Sequence, residues 1–63
     1  MSWRIEFQRV GDQYPALLWR HTVEEAHRKY AGLAEDNRWY FLRLIRRRRD
    51  GSEEVLASWE PEP

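Results

Sequence analysis

The pair Asp50-Gly51, set between two runs that read as strands, Arg38 to Arg49 and Ser52 to Glu60, constrains this chain more than any other feature. Asp-Gly suits the positive φ values of a two-residue hairpin turn, and a turn of that length fixes the register of both arms. On one face Arg48 then opposes Glu53, Arg46 opposes Val55, Leu44 opposes Ala57 and Leu42 opposes Trp59. On the other, Arg47 opposes Glu54, Ile45 opposes Leu56, Arg43 opposes Ser58 and Phe41 opposes Glu60. The first set, with Tyr40 behind it, is the better apolar face and should meet the rest of the core.

Upstream, Trp3, Ile5 and Phe7 alternate with Arg4, Glu6 and Gln8, the period of a half-buried strand. Val10 to Gln13 reads as a turn. Tyr14 to His21 is apolar enough for a second strand, with Pro15 best placed at its start or on an edge. Its Leu17-Leu18 doublet leaves a bulge or an irregular segment open. Thr22-Val23-Glu24-Glu25 has the form of a capping box, and Val23, Ala26, His27, Tyr30, Leu33 and Ala34 then recur at helical spacing. Gly32 weakens that helix and suggests a close approach of its backbone to the sheet, while Asn37 suits a left-handed cap. The expected architecture is α+β: a small antiparallel sheet with one covering helix in the order β-β-α-β-β, or β-α-β-β if the second segment is not a strand. Residues 1–60 form one domain and residues 61–63 a frayed tail.

A chain of 63 residues supports one thin core and no large cleft. It has no cysteine, hence no disulfide, thiol nucleophile or zinc finger. No apolar run approaches a membrane span and no signal-peptide hydrophobic region precedes the patterned sequence, so the expectation is a cytoplasmic protein. His21 and His27, six positions apart, match neither a metal-binding spacing nor a nucleophile-base pattern. The three glycines are isolated, so there is no phosphate loop. The reading is noncatalytic, with no cofactor, metal or small-molecule substrate.

Two contact surfaces remain. Trp39, Phe41, Ile45 and Leu56 share the sheet face that one helix cannot cover, with Leu17 or Trp19 able to join them, and Arg43 lies among them. Together they suggest a protein interface, either with a partner or within a homodimer, for which pairing through a free strand edge is a second route. The alternative is nucleic-acid binding. Six arginines fall in the twelve residues from 38 to 49, and Arg43, Arg46, Arg47, Arg48 and Arg49 are the candidate phosphate contacts. Against it, Glu53 and Glu54 oppose that row, and 11 basic residues balance 11 acidic ones, so no long-range field steers a polyanion.

The string Trp-Arg-Ile-Glu-Phe-Gln-Arg-Val, followed by Thr-Val-Glu-Glu-Ala and an Arg-Arg-Asp-Gly hairpin, resembles small phage-like proteins of GC-rich actinobacterial or phage genomes that carry no assigned activity. The preference for arginine over lysine fits such coding bias. The resemblance implies a small accessory or regulatory protein acting through binding, and it transfers no active site.

Overall fold

The computed structural model describes residues 1–36 and 38–59. The elements are β1 (Ser2–Arg9), β2 (Ala16–Arg20), α1 (Val23–Ala34), β3 (Trp39–Arg47) and β4 (Glu53–Trp59). They form a four-stranded antiparallel sheet in the order β2-β1-β3-β4, with α1 over one face. This is the α+β, β-β-α-β-β architecture expected from the pattern. Because β2 and β3 both run antiparallel to β1, they run parallel to each other, and the chain between them must cross the sheet. The helix makes that crossing over β1. The Asn37 cap, the Glu60 partner of Phe41, the boundary at residue 60 and the tail at 61–63 lie outside the described residues.

Local chemistry explains most of the boundaries. The Arg9 carbonyl accepts the Asp12 N–H at 3.0 Å, and Gly11 occupies the third position of that turn at φ 98°, where a side chain would be strained. Pro15 stands just before β2, at the sheet edge, where its missing N–H costs no ladder bond. Thr22 caps α1, its Oγ1 accepting the Glu25 N–H at 3.2 Å, while Glu24 and Glu25 meet the positive end of the helix dipole. Val23, Ala26, Tyr30 and Leu33 turn inward, and burial pushes the Tyr30 phenol pKa up. His27 and Ala34, placed in the same stripe by periodicity, are exposed. Gly32 also departs from expectation: it is exposed, and a side chain added there would meet no atom within 4 Å, so no close approach to the sheet calls for a glycine.

The core consists of Ile5, Ala26, Trp39, Leu42 and Leu44, surrounded by Trp3, Phe7, Leu18, Tyr30, Leu33, Leu56, Ala57 and Trp59. Two of these core contacts, Trp39 and Leu56, were expected on the uncovered face, and a bulge moves each of them. Opposite β1, Gln8 pairs with Phe41 but Arg9 pairs with Trp39, so Tyr40 is the extra residue. Trp39 therefore turns under the helix and is 1% exposed, whereas Tyr40, expected inside, is 52% exposed. The exchange is favourable because the buried indole finds partners. Its Nε1–H donates to the Leu33 carbonyl at 2.8 Å, and Phe7 meets the ring edge-on with centroids 5.2 Å apart.

The hairpin corrects the second expectation. Arg48 N–H donates to the Ser52 carbonyl at 2.9 Å and Gly51 N–H to the Arg48 carbonyl at 3.1 Å, which makes a three-residue loop, Arg49 to Gly51, with Gly51 at φ 91°. Asp50 supports the loop by accepting from both the Ser52 N–H and its hydroxyl, and these bonds hold the Asp50 pKa below its ordinary value. The longer loop shifts the pairs beside it by one, to Arg47 with Glu53, Arg46 with Glu54 and Ile45 with Val55. An extra residue at Leu56 then restores the expected pairing of Leu44 with Ala57, Arg43 with Ser58 and Leu42 with Trp59. Val55 takes the place beside Ile45, and Leu56 packs against the core.

Candidate interaction surface

On the face away from α1, the register aligns Arg4, Glu6 and Gln8 of β1 with Leu17 and Trp19 of β2 and with Phe41, Arg43 and Ile45 of β3. Val55 and Ser58 of β4 complete it. A carboxylate-arginine network occupies the middle. Arg4 grips Glu53 with two bonds, Nη1 to Oε2 at 2.7 Å and Nη2 to Oε1 at 2.9 Å. Its Nε lies 3.3 Å from Glu6 Oε2, and Arg43 Nη1 lies 3.9 Å from Glu6 Oε1. The hydrogen bonds from Arg4 hold the Glu53 carboxyl below the ordinary glutamate range, and the same bonds raise the Arg4 pKa.

Because Arg4 belongs to β1 and Glu53 to β4, the Arg4 side chain must cross β3 where Ile45 lies. Ile45 is only 5% exposed as a result, on a face that no helix covers. Cation–π contacts extend the cover. The Arg4 guanidinium lies 5.3 Å from the Trp19 ring and that of Arg43 lies 4.4 Å from Phe41. At the rims the cover ends: Leu17 is 52% exposed, Trp19 42% and Val55 56%.

The expected interface set therefore divides. Phe41, Arg43 and Ile45 share the uncovered face, while Trp39 and Leu56 belong to the core. The arginine run divides too. Arg43 and Arg47 take the uncovered face, Arg46 lies on the helix side, and Arg49 sits in the loop. Arg46 Nη2 and Arg48 Nη2 both reach Glu54, at 2.6 and 3.0 Å. A shallow groove of about 300 Å³ is lined by Arg20, Glu25, Arg28, Lys29 and Gly32. Among the described residues no three histidine or acidic side chains converge on a possible metal site, and no helix is long and apolar enough to cross a membrane.

Sequence reasoning did not assemble the network of Arg4, Glu6, Arg43 and Glu53. Its signal was present, since Arg4 and Glu6 alternate with Trp3, Ile5 and Phe7 and so must oppose the core. What was missing was the strand order that sets β1 beside β3. Comparison with known protein families, curated proteins and solved structures finds no match for this chain.

Proposed function

We propose that this protein is a small noncatalytic accessory module that works by association, presenting the uncovered sheet face and the free edge of β2 to a second protein surface. One observation carries the reading: Leu17 and Trp19, two large apolar residues on a strand with a free edge, are both substantially exposed. Phe41 and Arg43 lie on the same face and extend the contact area, while Ile45 supports it from below. The charge arrangement favours protein over nucleic acid. Glu6 and Glu53 stand among the arginines of this face, and Glu54 engages Arg46 and Arg48, so a polyanion would meet carboxylates interleaved with the cations it needs.

Sedimentation over a concentration series, at low and moderate salt, with and without short duplex and single-stranded DNA or RNA, tests this. Reversible association that ignores added nucleic acid supports the reading. A chain that stays monomeric and shifts with DNA or RNA, losing the shift as salt rises, overturns it and makes the arginine run the binding site.

A further inference from the structure

Building on that reading, we propose that the partner is a second copy of this chain, joined β2 to β2 about a two-fold axis through Leu18, so that two four-stranded sheets become one. The two edges of the sheet differ in how they meet water. The outer strand β4 carries Glu53 and Glu54 and is bent by the bulge at Leu56, devices that discourage strand addition. In contrast, β2 reads Ala-Leu-Leu-Trp-Arg, with its single charge at the end and no proline or bulge inside the strand.

The backbone of β2 selects the axis. The Val10 N–H donates to the Arg38 carbonyl, so even-numbered residues of β1 bond toward β3 and odd-numbered ones toward β2. The Trp19 carbonyl, opposite Arg4, therefore lies on the free side, where it accepts a 2.8 Å bond from Arg20 Nη1 that the partner's Leu17 N–H would share or replace. By alternation, Leu17 and Trp19 hold their N–H and C=O groups outward, while Leu18 bonds to β1. An antiparallel copy must set outward residues against outward residues. An axis at Leu17 would place Pro15, which has no N–H, opposite the partner's Trp19. An axis at Trp19 would run past the end of the strand to His21. Only the axis at Leu18 uses the whole strand, pairing Leu17 with the partner's Trp19 and Trp19 with the partner's Leu17. The two exposed apolar residues thus cover each other on the uncovered face, Ala16 meets the partner's Arg20, and no like charges are opposed. A formal net charge of zero leaves no overall repulsion between copies.

The chain has no cysteine, so one introduced thiol is an unambiguous probe. Opposed across the axis in a non-hydrogen-bonded pair, two Leu18 Cα atoms lie about 4.5 Å apart, within disulfide range. Two Leu17 Cα atoms lie roughly 8 Å apart, outside it. Under mild oxidation with diamide, Leu18→Cys should yield a covalent dimer and Leu17→Cys should not. Leu18 points to the helix side, so packing of two uncovered faces against each other cannot link it. In the otherwise unaltered chain, Leu17→Lys should return the sedimenting mass to that of a monomer with an unchanged circular dichroism spectrum. This variant keeps the test decisive if Leu18→Cys folds poorly. A reversible dimer that Leu17→Lys leaves intact, or that links through Leu17→Cys instead, overturns the β2 axis while leaving association standing. A chain that never dimerises overturns this proposal, and one that also binds no other protein overturns the broader reading.

Discussion

On the face beneath α1, Ile5, Leu42, Leu44 and Trp39 exclude water by packing against other apolar groups, whereas on the opposite face Ile45 reaches comparable burial beneath the Arg4 side chain on its way to Glu53. The contrast teaches that a single helix suffices for a two-sided sheet when long cationic stems lie along the second side. The covers differ in kind. An interlocked core resists salt and pH, while a charge-anchored cover depends on the carboxylates that hold it in place.

The largest test of this difference is Trp39→Ala, which removes a buried ring and its bond to Leu33 and should cost about 3–5 kcal/mol in chemical denaturation. Ile45→Ala should cost about 2–5 kcal/mol if the arginine cover seals as well as a helix does. A loss below roughly 1 kcal/mol would show that the second face is wet and would break the comparison. Arg4→Ala should destabilise by about 1 kcal/mol, while Arg4→Met, which keeps an apolar stem, should lose less than half of that. Equal losses would assign the cover to charge alone.

The smallest expected effect is in acid. The Glu53 pKa is held low in the folded chain, below an unfolded value of about 4.3, so its stabilisation is complete above that pH and is lost as pH falls through the depressed folded value. The stability gap between the native chain and Glu53→Gln, measured by denaturation from about pH 6 downward, should therefore narrow across that window. Asp50 is also held low, but it titrates in both proteins and cancels. A gap independent of pH would show that the Arg4–Glu53 pair does not anchor the cover.

The elements and their order were legible because each rests on a short-range rule. Alternation placed Trp3, Ile5 and Phe7 on one face, and Thr22 with Glu25 set the start of the helix. The two bulges were not legible, because periodicity assigns a residue to a face only while the ladder is unbroken. Whether Trp39 or Tyr40 turns inward depends on the Leu33 carbonyl and the Phe7 ring, both distant in the chain. Asp50-Gly51 announced a turn but not its length, since the same pair serves a three-residue loop when glycine closes it. The candidate surface suffered most, because Trp39 and Leu56 both lie at bulged positions.

The loop before Ser52 and the extra residue at Leu56 displace the strand by one position in opposite senses. Together they behave like a frameshift and its suppressor, confining the altered phase to a short segment at the tip of the hairpin. That tip is an independently editable module. A tighter closure, with Arg49 opposite Ser52, would move the pairs at the tip by one and take Leu56 into the ladder opposite Ile45, while Ala57 stayed opposite Leu44 and Trp59 opposite Leu42. A slip at this end of the molecule is therefore absorbed before it reaches the pairs that hold the core.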